Sequence, residues 1–432
     1  MYYYSTNHTS PKVNFKEATI KGQAPDKGLY FPENIPAIPK DLIENIKSYS
    51  KEEIAFTVIQ PYIGNEIPKN ELERIVSETI GFDFPLVKVE ENIFSLELFH
   101  GPTLAFKDVG ARFMSRCLGY FVKDENKKIS VLVATSGDTG GAVANGFYDV
   151  DGVDVIILYP LGKVSSVQEL QLTTLGKNIT ALEIDGTFDD CQQLVKQAFA
   201  DEELNKKLFL TSANSINVAR WLPQQFYYFF ALQQWHDKKN LPVISVPSGN
   251  FGNICAGLLA HHSGLPVQHF IAACNANDVV YNYLETEKYT PKKSVATLSN
   301  AMDVGNPSNF VRILEIFEQQ FNSLKNVMSS YSITDEETKA ILKEVYLKTN
   351  YLLDPHGAVG YLALQKYLQQ HPGLQGIFLE TAHPVKFYDV VEPIIHQPVP
   401  MPDAIKHLLK EQKQSIEMKV KYDTLKDYLL AK

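Results

Sequence analysis

Short apolar segments alternate with amphipathic segments through most of the chain, and this alternation restricts the possible folds more than any other feature. Helical patterns at 165–175, 189–199 and 218–235 separate apolar runs rich in β-branched residues. Strands that are apolar on both faces and joined by helices are typical of a parallel sheet covered on both sides. The sequence therefore predicts an α/β fold. The predicted strands are 130–134, 153–159, 180–184, 208–211, 243–246, 270–273 and 377–379.

The two ends of the chain differ from this α/β part. Apolar residues at helical spacing at 41–46 and 71–76 predict a mainly helical N-terminal domain over 1–92. The α/β part is predicted to cover 93–400, and 401–432 is predicted to be a helical tail. The 432 residues are enough for roughly two to three domains of ordinary size.

Composition and charge exclude several classes of partner. The chain has 41 basic and 50 acidic side chains, a net charge of -9, and no run of Lys and Arg, which argues against nucleic acid. No apolar stretch approaches the ~20 residues that span a bilayer, and the first residues lack the pattern of a secretion signal, so we expect no membrane partner. The four cysteines show no CxxC pair, which predicts buried thiols in a reducing, cytoplasmic location and no metal site.

Two loops rich in small residues follow predicted strands. They lie at 135–140 and 249–253, and a helical pattern begins in each. Ligands of α/β sheets bind at the carboxyl ends of strands, where backbone amides at a helix start attract anions. A capped strand–helix turn explains the first loop equally well. Neither loop matches GxxxxGK[ST] or GxGxxG, so a nucleotide has no specific support.

Lys107 follows the apolar residues Leu104, Ala105 and Phe106. Burial disfavours the charged form of an amine, so its pKa falls and it becomes a nucleophile or base that can form a Schiff base. A surface lysine with a buried stem is the commoner interpretation of such a stretch. A lysine of this kind, together with two anion-binding loops, suits pyridoxal 5'-phosphate, which needs an amine, a phosphate anchor and a seat for the substrate carboxylate.

Further polar residues lie at other strand ends. Thr381 follows the last predicted strand, and 211–220 contains asparagines and one arginine. A helix cap or a capped helix start explains these residues nearly as well as a ligand site does. His356 and His383 are ordinary loop histidines by the same reasoning.

Seven motifs resemble those of the threonine synthase family of pyridoxal-phosphate enzymes, and they follow one another in the order that the family has. They are His-Gly-Pro-Thr-Leu-Ala-Phe-Lys-Asp (100–108), Thr-Ser-Gly-Asp-Thr-Gly (135–140), Asn-Ser-Ile-Asn-x-Ala-Arg (214–220), Gly-Asn-Phe-Gly-Asn (249–253), Ala-Met-Asp-Val (301–304) with Pro-Ser-Asn-Phe (307–310), Asp-Pro-His-Gly-Ala-Val-Gly (354–360) and Thr-Ala-His-Pro-Val-Lys-Phe (381–387). The resemblance implies a fold-type II enzyme with mixed and parallel sheets, whose cofactor lies between two α/β lobes, the smaller at about 125–205.

The resemblance also implies roles for individual residues. Lys107 would be bonded to the cofactor and later move protons, and Thr381 would face the pyridine nitrogen. The cofactor phosphate would be held by Gly249, Asn250, Phe251, Gly252 and Asn253. The substrate would be bound by Thr135, Ser136, Gly137, Asp138 and Thr139, with Asn214, Asn217 and Arg220 as further contacts. Ser248 stands where many relatives have threonine, and Gly357 stands where some have threonine; neither replaces a group that the chemistry requires.

The implied reaction converts O-phospho-L-homoserine and water to L-threonine and phosphate. It would proceed through a Schiff base of the cofactor, γ-elimination of phosphate and β-addition of water, which makes the chain a carbon–oxygen lyase. The sequence leaves monomer and dimer open and does not assign the residues that bind the substrate phosphate. Three alternatives remain: a related lyase or threonine dehydratase that releases a keto acid and ammonia, a non-catalytic amino-acid sensor, and a nucleotide binder.

Overall fold

The computed structural model describes residues 1–123, 128–237 and 239–432. The strands are β1 (Tyr2–Ser5), β2 (Val13–Asn14), β3 (Tyr30–Pro32), β4 (Leu86–Lys88), β5 (Ile93–Glu97), β6 (Ile129–Ala134), β7 (Val153–Pro160), β8 (Ile179–Asp185), β9 (Phe209–Thr211), β10 (Val243–Pro247), β11 (His269–Cys274), β12 (Met328–Ser332), β13 (Gly376–Glu380) and β14 (Ile416–Lys419).

The first α-helices are α1 (Phe15–Lys21), α2 (Lys40–Glu44), α3 (Lys51–Ile63), α4 (Lys69–Thr79), α5 (Lys107–Val122), α6 (Asp138–Phe147), α7 (Ser166–Thr173), α8 (Phe188–Ala200), α9 (Glu202–Lys207) and α10 (Val218–Trp221). The later ones are α11 (Phe226–Gln234), α12 (Gly252–His262), α13 (Val279–Thr286), α14 (Phe310–Ile316), α15 (Phe321–Val327), α16 (Asp335–Thr349), α17 (Pro355–Gln370), α18 (Tyr388–Ile395), α19 (Asp403–Lys406) and α20 (Tyr422–Ala431). Short 3₁₀ helices lie at Ile46–Ser48, Leu222–Gln225, Asn300–Met302, Pro384–Phe387 and His407–Lys410.

Local sequence signals explain where several helices begin. Ser50 and Glu53 form a capping box at the start of α3, and Thr334 and Glu337 form another at α16. In each box the hydroxyl accepts the backbone N–H of the glutamate, whose carboxylate accepts the N–H of the cap residue. These bonds satisfy amide groups that the first helical turn leaves without a partner.

The chain divides into two compact units. The first unit contains Met1, 31–106 and 221–400, and the second contains 2–30, 107–220 and 401–432. Each unit is built around one sheet that helices cover.

The sheet of the first unit has six strands in the order β12-β11-β10-β13-β5-β4. All neighbours are parallel except β4 and β5, which are antiparallel. Val243, Ile271 and Phe378 of the strands pack in one core with Leu342 of α16 and Tyr361 of α17. Because β10, β13 and β5 are parallel neighbours, the loops that follow these three strands leave the same edge of the sheet.

The sheet of the second unit has five strands in the order β14-β8-β7-β6-β9, and its pairs are parallel. Leu132, Ile156 and Leu182 of the strands pack with Leu194 of α8 and Leu425 of α20. The loops after β7, β6 and β9 therefore also leave one common edge.

The α/β fold predicted from the apolar runs is confirmed, since each of the seven predicted strands corresponds to an observed one. The predicted helix over 218–235 is instead divided into α10, the 3₁₀ turn Leu222–Gln225 and α11. Pro223 has no amide hydrogen to donate within a helix, which accounts for the interruption. The end regions that were predicted as helical also contain strands: β1 to β3 near the N-terminus and β14 near the C-terminus.

Gly257 of α12 offers a test of the packing in the first unit. A Cβ atom at this position would collide with the ring of Tyr228 and lie 2.9 Å from the ring of Phe270. We expect Gly257→Ala to lower the free energy of unfolding by about 1–3 kcal/mol, the usual cost of overpacking a core. Urea denaturation measures the loss. The control is Gly81→Ala, whose Cβ would meet nothing closer than 3.7 Å. Equal stability of the two variants would contradict the close packing of Gly257 against Tyr228 and Phe270.

Candidate active site

The loop after β10 leads into α12 and presents backbone donors that suit an anion. Phe251 has a left-handed backbone with φ of 61°, and α12 begins at the next residue. The N–H of Cys255 donates to the carbonyl of Phe251 at 3.1 Å. The amides of Gly252, Asn253 and Ile254 precede that bond, so they are the donors that a helix start leaves for an anion.

Two segments hold this loop from the side. The N–H of Ser308 donates to Oδ1 of Asn250 at 2.7 Å, and Nδ2 of Asn309 donates to the Asn250 carbonyl at 3.1 Å. A Cβ atom on Gly249 would lie 2.5 Å from Cα of Met302. Oδ1 and the carbonyl of Asn250 are therefore both occupied by bonds that hold the loop.

A buried guanidinium supports Asn309 in turn. Nη1 of Arg312 donates to Oδ1 of Asn309 at 2.8 Å, and the guanidinium lies 4.4 Å from the ring centroid of Trp221. Arg312 is fully buried. Neither Asn309 nor Arg312 was assigned a site role from the sequence, although a basic residue within the apolar run of α14 was a visible signal.

The side chain of Asn253 fits a bound phosphate. Oη of Tyr228 lies 2.9 Å from both Oδ1 and the carbonyl of Asn253, which fixes the amide oxygen toward the core. Nδ2 of Asn253 is buried, and among the described residues it has no hydrogen-bond partner. A buried amide donor without a partner is costly unless a ligand accepts its bond. The residues of this loop thus fit the phosphate of pyridoxal phosphate.

Thr381 lies directly after β13. The neighbouring strand β10 leads to the loop 249–253, which is called the phosphate loop below after its predicted role. Its carbonyl accepts the N–H of Phe106 at 2.9 Å, and Ala105 and Ala382 form an antiparallel bridge. Tyr227 donates its hydroxyl to the carbonyl of Phe106. Hydrogen bonds therefore fix the backbone immediately before Lys107 to the residue that was predicted to face the pyridine nitrogen.

Lys107 is the first residue of α5 and of the second unit. Its Nζ lies 3.8 Å from Oδ2 of Asp138, a carboxylate that is 3% exposed. Nε2 of Gln168 donates to the other oxygen of Asp138 at 2.9 Å. A Cβ atom on Gly137 would lie 2.6 Å from Nε2 of Gln168, so this contact requires glycine. Gln168 was not selected from the sequence.

The loop 135–139 was predicted to bind a substrate carboxylate, and the structure separates its residues by role. Oγ1 of Thr135 accepts the N–H of Gly137 at 3.0 Å and that of Gly140 at 2.8 Å, so it shapes the loop. The carboxylate of Asp138 would repel a substrate carboxylate. The groups suited to an anion are therefore Ser136, Thr139 and the amides at the start of α6.

The segment after β9 contains the other predicted substrate contacts. Asn217 is buried and occupied: its Nδ2 donates to the carbonyl of Thr19 at 2.9 Å, and its Oδ1 accepts the N–H of Ala219 at 3.0 Å. Oδ1 of Asn214 is buried and has no partner among the described residues, which leaves it available to a ligand. Arg220 is buried as well. Since β9 pairs with β6, Asn214 follows the same edge of the sheet as the loop 135–139.

In the described parts of the chain, no set of three or more His, Cys, Asp or Glu side chains is arranged to hold a metal ion. None of the helices in those parts has the length and apolar character needed to cross a membrane. The four cysteines are buried, and none of them forms a disulfide.

A helix start suited to an anion, a hydroxyl at the end of the neighbouring strand, and a lysine that directly follows Phe106, which is bonded to that strand end, are the groups that a pyridoxal-phosphate enzyme requires. The family model described as "Pyridoxal-phosphate dependent enzyme" matches residues 84–376. The models "Threonine synthase N terminus" and "Threonine synthase, C-terminal" match residues 2–80 and 357–429. The chain belongs to the threonine synthase family.

Individual relatives agree with this assignment. The threonine synthase of Haemophilus influenzae is 45% identical over 428 residues, which are 99% of each chain. The crystal structure of threonine synthase from Escherichia coli matches with a TM-score of 0.93 at 42% identity and covers 100% of both chains. A structure of threonine synthase from Brucella melitensis with bound pyridoxal phosphate matches with a TM-score of 0.92 at 35% identity over 99% of this chain and 98% of that one.

These findings confirm four predictions made from the sequence: the threonine synthase family, the fold-type II α/β architecture, the lyase activity of that family and pyridoxal phosphate as the cofactor. The roles of the individual site residues stay predictions.

Asn309 tests how the phosphate loop is held. Asn309→Ala removes the donor to the Asn250 carbonyl and leaves Arg312 without its bond to the amide oxygen. We expect the Kd for pyridoxal phosphate to rise about 10-fold or more, since each lost buried hydrogen bond costs about 1–3 kcal/mol. Equilibrium dialysis of the holoenzyme measures this Kd. The matched control is Asn282→Ala on the exposed face of α13, and an unchanged Kd for Asn309→Ala would contradict the proposed support.

Proposed function

We propose that this chain converts O-phospho-L-homoserine and water to L-threonine and inorganic phosphate. The observation that carries the proposal is the bond from the N–H of Phe106 to the carbonyl of Thr381, which ties the residue before Lys107 to the strand end beside the phosphate loop. The relatives that share 99% of the chain length are named threonine synthase.

The cofactor, when bound, supplies a ring that accepts electrons from the substrate's α-carbon. The phosphate of the cofactor would be held by the amides of Gly252 and Asn253 and by Nδ2 of Asn253. Gly249 and Phe251 would give the loop its shape, and Asn250 would contribute its backbone. The hydroxyl of Thr381 would face the pyridine nitrogen as a neutral partner, which leaves that nitrogen without the charge that a carboxylate would stabilise.

Lys107 would act as the amine that holds the cofactor and, once the substrate amine replaces it, as the base. Nζ would take the proton from the α-carbon and return protons later in the reaction. The carboxylate of Asp138, 3.8 Å from Nζ, would stabilise the ammonium form of Lys107 whenever it carries the transferred proton. Gln168 would keep that carboxylate turned toward the lysine.

Residues of the loop after β6 and of the segment after β9 would bind the rest of the substrate. The α-carboxylate would be bound by Ser136, Thr139 and the amides at the start of α6, where the helix dipole favours an anion. Asn214 would present Oδ1 to a donor of the substrate, and Arg220 would add positive charge near the same edge. In the overall reaction a proton leaves Cβ, the bond between Cγ and the ester oxygen of the phosphate breaks, and a proton is added at Cγ. The hydroxyl of water then forms a bond to Cβ, and the remaining proton of that water goes to the released phosphate.

The nearest rival is a lyase of the same fold that releases a keto acid and ammonia. The deciding experiment supplies O-phospho-L-homoserine to the holoenzyme and follows phosphate, threonine, keto acid and ammonia together. Threonine in equal amount to phosphate supports the proposal, whereas keto acid and ammonia in place of threonine would move the function to the rival.

We also propose that the chain works in the cytoplasm on small molecules, without nucleic acid or membrane partners. The buried thiols of Cys117, Cys191, Cys255 and Cys274 form no disulfide, which supports a reducing compartment.

Lys107 gives the most direct test of the catalytic assignment. Lys107→Ala should lower kcat by at least about 10³-fold, because the variant lacks both the amine that holds the cofactor and the base. Phosphate release measures the rate, and circular dichroism checks that the fold is retained. The control is Lys339→Ala on the exposed face of α16, which should keep full activity. A Lys107→Ala enzyme with substantial turnover would overturn the assignment.

Asp138 tests the electrostatic role proposed for the second unit. Asp138→Asn keeps the shape of the side chain but removes the negative charge beside Nζ of Lys107. We expect kcat to fall about 10- to 100-fold, within the range for proton-transfer groups, while KM changes little. The control is Asp189→Asn, an exposed residue of α8. A large rise in KM without loss of kcat would instead place Asp138 in substrate binding.

A further inference from the structure

Two acidic side chains and a histidine lie buried behind the strand that ends at Thr381. Glu380 is the last residue of β13, Asp354 is the N-cap of α17, and His356 lies in its first turn. Asp354 and Glu380 are completely buried and His356 is 2% exposed. We call Asp354 and Glu380 the buried acid pair.

Hydrogen bonds fix the orientation of every member of this cluster. Oε1 of Glu380 accepts the N–H of Asp354 at 2.6 Å. Oδ1 of Asp354 accepts the backbone N–H of His356 at 2.7 Å and lies 2.5 Å from its Nδ1. Nε2 of His356 accepts the N–H of Ala301 at 3.2 Å, so the proton of the neutral ring must be on Nδ1.

One oxygen of each carboxyl group accepts no hydrogen bond from the described residues. Oδ2 of Asp354 and Oε2 of Glu380 are buried, and no group in the described parts of the chain donates to either of them. The side chains of Asp354 and Glu380 are close enough for a hydrogen bond between them. Two buried carboxylates so placed repel each other strongly, whereas a single proton between them gives each group a partner. Burial, and then the charge of Asp354, raise the pKa of Glu380 well above its ordinary value, which places the proton on Glu380.

The charged and titratable groups around the buried acid pair do not move the proton away from Glu380. Glu97 on the neighbouring strand adds negative charge that further favours a neutral Glu380. Oη of Tyr351 donates to Oε1 of Glu97 at 2.9 Å. Burial lowers the pKa of His383 to about 4, so that ring is neutral at physiological pH. Nζ of the buried Lys386 donates to the carbonyl of Thr103 at 2.7 Å.

The cluster contacts both sides of the cofactor site in the first unit. Glu380 is adjacent in sequence to Thr381, and its own carbonyl accepts the N–H of Leu98 at 2.9 Å. On the other side, His356 holds the N–H of Ala301, whose carbonyl would lie 3.0 Å from a Cβ atom on Gly249. The strand end that carries Thr381 and the segment that shapes the phosphate loop are thus connected through three buried side chains.

We propose that Asp354, His356 and Glu380 are positioning residues that share one proton between Glu380 Oε2 and Asp354 Oδ2 and thereby set Thr381 and the phosphate loop at the correct separation for pyridoxal phosphate. This inference rests on the proposed role of Thr381 and deepens it. It also explains Gly357, because a Cβ atom there would overlap Oε2 of Glu380.

A double-mutant cycle tests the shared proton. In Glu380→Gln the new amide donates to Asp354, and in Asp354→Asn the new amide donates to an ionised Glu380, so each single variant keeps one donor between the two groups. In the double variant two NH₂ groups face each other. We expect each single variant to keep the Kd for pyridoxal phosphate within about 3-fold of the wild type, and the double variant to raise it at least about 10-fold.

The pH dependence gives an independent readout of the proton. The folded state holds the proton on Glu380, whereas the unfolded chain releases it above the ordinary pKa of 4.5. Rising pH therefore favours unfolding of the wild type. We expect its unfolding constant to rise about 10-fold per pH unit relative to that of Glu380→Gln, beginning near pH 5. An infrared carbonyl band of a protonated carboxylic acid should be present in the wild-type holoenzyme at neutral pH and absent from Glu380→Gln.

Two results would overturn the proposal. One is additivity in the cycle together with the same infrared spectrum for the wild type and Glu380→Gln. The other is a double variant that loses stability but keeps the wild-type Kd for pyridoxal phosphate, which would make the cluster merely structural. Failure of the proposed reaction is distinguishable from both, since it would appear as keto acid in place of threonine with the infrared band and the cycle unchanged.

Discussion

The parallel pairing of β10, β13 and β5 is the constraint on which the site of the first unit depends. The three strands are neighbours, so the phosphate loop, Thr381 and the segment that leads to Lys107 all leave one edge of the sheet. The bond between the Phe106 N–H and the Thr381 carbonyl extends this pairing beyond the end of the strands. The proposed role of Thr381 therefore depends on register, because a shift of one residue in β13 would turn Thr381 to the opposite face.

The loop 249–253 is held by side chains and backbone of a neighbouring segment. Asn309 and Ser308 bind Asn250, and the buried Arg312 binds Asn309. Each of these bonds fixes backbone direction before any ligand arrives. Such preorganisation lowers the cost of ordering the loop upon binding, which direct charge attraction would not do.

The sequence was sufficient to predict the α/β fold and the loops at the strand ends, because apolar β-branched runs and small-residue turns are local signals. It did not predict β12 or β14, whose polar edge positions hide the strand pattern. It also missed Gln168, Arg312 and Glu380. Gln168 and Glu380 owe their roles to hydrogen-bond partners 30 and 26 residues away in the chain. The partner of Arg312 is only 3 residues away, but the burial of Arg312 could not be read from its residue type. The direction of the Asn250 side chain is likewise a tertiary property.

The two buried carboxyl groups have different proposed protonation states. Beside Lys107, the carboxylate of Asp138 has Gln168 as a partner and lies 3.8 Å from an amine that would carry a proton in the proposed reaction. Behind Thr381, by contrast, the carboxyl of Glu380 is completely buried, and Glu97 adds further negative charge. A second unprotonated carboxylate there would place uncompensated charge behind a site whose proposed partner for the pyridine nitrogen is an uncharged hydroxyl. A proton on Glu380 would remove that charge and keep the bond that joins Glu380 to Asp354, so the proposed geometry of the site and its electrostatics favour the same protonation state.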